Sequence, residues 1–194
     1  MLGDVQVPYS LMKCLINVYT GNVSWRNPMC QVNFYNQDRF NDDAEKTFKS
    51  QSKRIKQMIP NADIQHIGST AIPNSLTKGD LDIQVRVSLE DFIPAVEALS
   101  KLYEVNDGSV KTNEFRAFKD DTMSPPLGVQ LTVIDSEFDF FWKFRDVLLQ
   151  NDQYRIEYNN LKKKFEGKAM EVYREAKNDF INKIKQTPEY KKLN

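Results

Sequence analysis

His66-Ile67-Gly68-Ser69-Thr70 is followed, ten residues after the Thr, by Asp80-Leu81-Asp82 at the head of an alternating run. From Asp80 to Val87 the pattern is strict: Leu81, Ile83, Val85 and Val87 fall on one face of a strand, and Asp80, Asp82, Gln84 and Arg86 on the other. Both carboxylates therefore point the same way. Two carboxylates so placed can share a hard divalent cation such as magnesium, which prefers oxygen ligands and completes its shell with water and substrate phosphates. The Gly68-Ser69 pair is the natural counterpart. Glycine lets backbone approach a ligand closely, and the following hydroxyl and free amide can cradle phosphate oxygens. The residues read as a metal and phosphate site, with Asp80 and Asp82 as the metal ligands and Gly68 and Ser69 on the phosphates.

These residues need a scaffold, and the rest of the chain supplies one. Asn41-Asp42-Asp43 precedes a helical pattern with Ala44, Phe48, Ile55, Met58 and Ile59 near one face, stopped by Pro60-Asn61. A strand from Asp63 to Ile67 delivers the Gly-Ser turn, and Ser88 is the expected N-cap of a helix from about Leu89 to Lys101. Short extended pieces follow over Leu102–Asn106, Asn113–Lys119 and Gly128–Ile134, separated by a turn at Asp107-Gly108 and a loop over Asp120–Pro126. From Phe138 onward the spacing predicts three helices, divided near Gln150–Asp152 and at Gly167. The first carries an apolar stripe of Phe138, Phe141, Trp142, Leu148 and Leu149, and Arg145 falls inside it. An arginine there requires a partner: either a structural ion pair, or a phosphate in the cleft, for which its planar fork is suited. Lys162 and Lys177, each four residues after a tyrosine, are candidates for the same cleft.

The 194 residues suit one domain, or a core with an appended helical part. The reading divides them into an N-terminal extension over 1–30, an α/β core over 31–137 and a C-terminal helical part of the same domain over 138–194. With 27 basic and 27 acidic side chains the net charge is zero, which does not favour polynucleotide binding, although the residues from 138 onward carry +4. Cys14 and Cys30 have neither metal-ligand spacing nor the density of a disulfide framework, so a reducing cytoplasm is the expected location. No stretch is long and apolar enough to predict a membrane span.

Taken together, His66 to Pro73, Lys78 to Val87, Phe144-Arg145-Asp146, Tyr158 with Lys162 and Tyr173 with Lys177 resemble the GrpB family of the nucleotidyltransferase superfamily, over about residues 31–186. The resemblance implies an α+β fold: a mixed sheet like the palm of polymerase beta, flanked by helices, with a C-terminal helical subdomain. It also implies metal-dependent transfer of a nucleoside monophosphate from a nucleoside triphosphate to an acceptor the motifs do not specify. The cofactor would be magnesium, with manganese able to replace it. Asp80 and Asp82 would be catalytic, and Gly68, Ser69, Lys78, Arg145, Lys162 and Lys177 would bind nucleotide phosphates. Some family members are fused to dephospho-coenzyme A kinase, which points to nucleotide-like small molecules as partners.

Two departures from the family pattern bear on activity. Where the family has a His-hydrophobe-His strand this chain has Gln130-Leu131-Thr132, so neither polar residue can serve as a base. Asp135 is the nearest carboxylate in sequence to that strand and the candidate third acid. Asn74 stands where the family often has glycine. These substitutions leave room for the alternative of a catalytically inactive module that binds a nucleotide or coenzyme. His66, the sole histidine, is read as packing at the end of its strand.

Overall fold

A computed structural model describes residues 31–193. The extension expected over 1–30 and both cysteines lie outside the described residues. The fold is α+β, with a five-stranded mixed sheet in the order β2-β4-β7-β6-β5. Its strands are β2 (Asp63–Ile67), β4 (Leu81–Val87), β5 (Glu104–Val105), β6 (Phe115–Asp120) and β7 (Leu127–Val133). Only β4 and β7 pair in parallel; the remaining neighbours are antiparallel. A small second sheet joins β1 (Tyr35–Asn36) to β3 (Leu76–Thr77). No helix among the described residues is long and apolar enough to cross a membrane.

The alternation in β4 produces a sheet with two unlike faces. Leu81, Ile83, Val85 and Val87 join Val129, Leu131 and Val133 of β7 in a core roofed by α1 (Asn41–Met58) and α2 (Phe92–Ser100) through Ala44, Ile55, Phe92, Ala95 and Leu99. The helix expected from Leu89 begins later. The Ser88 hydroxyl accepts from the Asp91 amide at 3.2 Å, closing a turn ahead of α2, and Pro94, which donates no hydrogen bond, sits in the first turn of the helix.

The opposite face is polar and covered by the C-terminal helices α3 (Phe141–Gln150), α4 (Asp152–Phe165) and α5 (Met170–Lys185), followed by a short α6 (Pro188–Lys191) that the periodicity did not predict. Asp139, 2% exposed, receives the Arg86 guanidinium at both oxygens, 2.7 Å each, and the Gln84 amide at 2.9 Å. Gln84 also donates to Thr132 and accepts from the Trp142 backbone amide at the start of α3, both at 3.0 Å. Gln84, Arg86, Thr132 and Asp139 are thus mutually paired, as low local polarity demands.

The helices hold a second core in which Val147, Leu148, Tyr158, Phe180 and Ile184 enclose Ile72, a residue from the loop after β2. Two members of the expected stripe differ: Phe138 lies ahead of α3, and Leu149 is 44% exposed because Val147 and Leu148 take the buried side. Replacing Asp139 by alanine would strand Arg86 and Gln84 without their acceptor. The expected cost is about 3–5 kcal/mol, the scale for breaking a buried ion pair, read as a lower urea midpoint for the full chain.

Candidate functional site

Along one side of the polar face runs a cleft of about 580 Å³, walled by the end of β2, the β3–β4 turn, β7 and the faces of α4 and α5. Gly68, Ser69, Lys78, Asp80, Asp82, Lys162 and Lys177 all line it. Arg145 and Asp135 are not among its lining residues.

Register places Asp82 between two close backbones, with Ile67 as its partner on β2 and Gly128 on β7. A Cβ on Gly68 would lie 2.5 Å from Asp82 Oδ2, and one on Gly128 would lie 2.9 Å from Oδ1. The carboxylate occupies space that only glycines leave free, and Gly68 adds a φ of 75°, which disfavours other residues. Burial, followed by the charge of Asp80, pushes the Asp82 pKa up to about 6, against the pull of Lys177 and Lys78.

Asp80 precedes β4 and is bonded to Lys78 Nζ at 2.8 Å. Burial works to raise its pKa, but Lys78 outweighs this by charge and hydrogen bond and holds the carboxyl below its ordinary value. The same pair raises Lys78, whose chief influence is the Asp80 charge. Two neighbouring acids are thus driven in opposite directions.

The Ser69 turn is pinned from several sides. Ser69–Ala71 forms a 3-10 turn, Gln37 donates to the Thr70 carbonyl at 3.0 Å, and the Thr70 hydroxyl donates to the Asp80 carbonyl at 3.2 Å. Lys162, 1% exposed on α4, donates to Ser69 Oγ at 2.6 Å and to the Leu76 carbonyl, with its ammonium 4.1 Å above the Tyr158 ring. Burial holds its pKa well below the ordinary lysine value; Lys177 and Lys78 add to the effect and Asp80 opposes it. The tyrosine–lysine spacing on α4 and α5 also brings the Tyr158 and Tyr173 hydroxyls to 3.4 Å of each other.

Arg145 stands apart from this group. Its Nε and Nη2 each lie 2.7 Å from Asp146 Oδ1, and Nη1 donates to the His66 carbonyl at 2.7 Å and to Gln65 at 3.1 Å. Of the two expectations for this residue, the geometry corresponds to the structural pair: the guanidinium ties α3 to edge strand β2 instead of reaching into the cleft. Asp135 lies seven residues beyond Gly128, past the far end of β7, or roughly 20 Å along an extended chain. It is placed at the opposite end of the strand from Asp82, with its backbone amide donated to Asp139. His66 packs against Phe48 of α1 at 5.0 Å, on the face away from the carboxylates, and burial lowers its pKa to about 4 despite Glu45.

Sequence reasoning missed part of the cleft. Phe138, assigned to a helix stripe, instead stacks on Phe115 of β6 at 5.1 Å, while Phe141 lies 6.2 Å from Phe115 and 4.1 Å from Phe140. These rings make an aromatic wall, and Arg174 and Gln130 also line the cleft. The sequence signal for the wall was the density of phenylalanines around 138–144 without a clean helical period. The described residues hold no cluster of three or more His, Cys, Asp or Glu suited to a metal. Asp80 and Asp82 are a pair, which fits magnesium only where ligand phosphates or water complete the shell.

A family model described as GrpB protein matches residues 38–187. The UPF0157 protein VC_A0354 of Vibrio cholerae is 33% identical over 154 residues, covering 79% of this chain and 81% of the relative. UPF0157 protein BH1888 of Halalkalibacterium halodurans is 28% identical over 151 residues, covering 72% and 74% respectively. Among solved structures, the conserved protein GrpB from Enterococcus faecalis shares the fold with a TM-score of 0.62 at 23% identity, over 77% of this chain and 93% of that one.

The geometry makes two stability predictions. Because the folded protein keeps the Asp82 proton up to about pH 6 while the unfolded chain loses it near the ordinary carboxylate value, the folded state loses stability as pH rises through that interval. Asp82→Asn is therefore expected to raise the melting temperature of the ligand-free protein above about pH 6 and to remove that dependence, read by thermal denaturation across pH. Arg145→Lys keeps the charge but loses the fork, and should cost about 1–3 kcal/mol of unliganded stability while leaving triphosphate affinity unchanged. Calorimetric unfolding and nucleotide titration of the same variant separate the two readouts.

Proposed function

The chain belongs to the GrpB family, and from that premise we propose that its cleft binds a nucleoside triphosphate together with magnesium and transfers the nucleoside monophosphate to an acceptor. The observation that carries this reading is the convergence of Asp80 and Asp82 with the Gly68-Ser69 turn and three lysines in one cleft. Manganese, with similar preference for oxygen ligands, is expected to substitute.

Each residue has a physical task in this reading. Asp80 and Asp82 would hold the metal, which supplies charge neutralisation at the phosphates. The Ser69 hydroxyl and the free backbone around it receive phosphate oxygens, and Lys162, already bonded to Ser69, keeps that hydroxyl oriented. Lys78 and Lys177 add positive charge where the leaving pyrophosphate accumulates negative charge. The aromatic wall of Phe138, Phe140 and Phe141 offers flat apolar surface for a base or for the body of an acceptor. Such a site works by positioning and electrostatics more than by proton transfer.

Gln130 favours a second reading, a module that binds nucleotide without transferring it, because an amide stands on β7 beside the carboxylates. Both readings are tested by screening the four nucleoside triphosphates with magnesium, first by thermal shift and then by pyrophosphate release. Transfer predicts a shift and release of pyrophosphate. A shift alone supports the binding module. Asp80→Asn and Asp82→Asn should each weaken magnesium-dependent binding by at least about tenfold, since even outer partners of metal ligands have effects of that size. Unchanged magnesium-dependent affinity in both variants would overturn the metal site.

A further inference from the structure

The face that β7 turns to the cleft bears on which acceptor could react there. Gly128 lies against Asp82, and Gln130, two residues on, lines the cleft with its amide nitrogen 3.5 Å from where a Gly128 Cβ would be. A carboxamide does not take up a proton near neutral pH. Asp80 and Asp82 are the carboxylates lining the cleft among the described residues, and in the reading above both are engaged by the metal. Thr132, next on the same face, is buried and bonded to Gln84. The Lys162 nitrogen is turned to Ser69 and the Leu76 carbonyl, and His66 lies across the sheet. A hydroxyl acceptor needs a base within hydrogen-bond reach, or a second metal to activate its oxygen. The described residues of the cleft offer a free side chain for neither.

The same cleft carries surplus positive charge. Arg174 and Lys177, three residues apart on α5 and so on neighbouring turns of one face, both line it. Among the described residues neither forms an ion pair. Lys177 already acts on Asp80 and Asp82 and is assigned to the pyrophosphate, but Arg174 has no carboxylate partner, so an anionic acceptor would pair with it where an uncharged alcohol would not. Arg174 adds the planar fork suited to oxyanions.

We propose that the acceptor is an oxyanion, a phosphate monoester or a carboxylate, held by Arg174. This rests on the nucleotidyl-transfer reading and narrows its substrate class. The acceptor oxygen, already anionic, attacks the α-phosphorus of the triphosphate. A new P–O bond forms, the bond from the α-phosphorus to the α–β bridging oxygen breaks, and its electron pair leaves with pyrophosphate. The product is a phosphoric or acyl-phosphoric anhydride, and no proton moves. Gln130 is then compatible with activity, since its amide can orient an acceptor without having to deprotonate it.

The test uses the full chain saturated with magnesium and a non-transferable α,β-methylene triphosphate, titrated with phenyl phosphate, benzoate and benzyl alcohol as probes of equal aromatic body. At least one anion is expected to bind about tenfold or more tightly than the alcohol, in keeping with the energies of paired charges at binding sites. Arg174→Gln is expected to erase that preference while leaving triphosphate affinity unchanged. Preference for phenyl phosphate over benzoate assigns the phosphate monoester, and the reverse assigns the carboxylate. The same probes with an α-labelled triphosphate should place label on the preferred anion and not on the alcohol. Equal binding of all three probes, no binding of any, or label on the alcohol would overturn the oxyanion acceptor while nucleotide binding and pyrophosphate release still stand. Failure of the triphosphate itself to bind would overturn the underlying reading as well.

Discussion

The ion pair between Arg86 and Asp139 sets the terms for the rest of the molecule. Alternation in β4 gives the sheet one apolar face and one polar face, and the apolar side closes by hydrophobic contact with α1 and α2. The polar side is not open to that solution. Arg86 and Gln84 need acceptors if they are to be covered, and Asp139, just ahead of α3, supplies them. A buried pair contributes little net stability against desolvation, but leaving either partner alone is costly, so the pairing specifies position. It determines where α3 begins, and Gln84 reinforces the choice by accepting from the Trp142 amide in the helix's first turn. The helices that follow are thereby brought over the polar face beside Asp80 and Asp82.

Within the cleft, by contrast, charges are held in unfavourable company. Asp80 and Asp82 are two residues apart on one face, and Lys162 is buried with neutral oxygens as its closest partners. Lys78 satisfies one acid of the pair, and the other is left to retain its proton more strongly than usual. Such arrangements lower the stability of the empty protein and are found where binding or chemistry requires them. The polar network around Asp139 and the glycines flanking Asp82 are the surrounding structure that keeps them in place.

The elements most legible in the sequence were those governed by local pattern. Period-two alternation located β4 and its faces, Pro60 marked the end of α1, and Gly167 the break between α4 and α5. The Gly68-Ser69 turn and the Asp80/Asp82 pair come together as the spacing implied because β2 and β4 are adjacent antiparallel strands. What local pattern could not supply was contact across long separations. Arg145 interrupts an apolar stripe in either of two environments, and only the distance from α3 to His66 and Gln65 distinguishes them. Asp135 is near β7 in sequence, but the parallel pairing of β4 with β7 puts it at the wrong end of the sheet. The phenylalanine wall depends on Phe138 leaving the helix to meet Phe115, a partner from β6. Helix periodicity carries no trace of that encounter.

Ile72 has a consequence of a different kind. It lies three residues past Ser69, in the loop that also forms the candidate phosphate turn, yet its side chain is enclosed by the core of the C-terminal helices. The turn is therefore built into the helical layer by packing as well as into the sheet by chain connection. Resistance of a segment to local opening depends on its buried apolar contacts. The Ile72 side chain thus joins the loop to α3–α5, while the Ser69–Ala71 turn just before it also packs against α1, β2 and β3. A short loop is thereby the place where the cleft, the sheet and the C-terminal helices are mechanically joined.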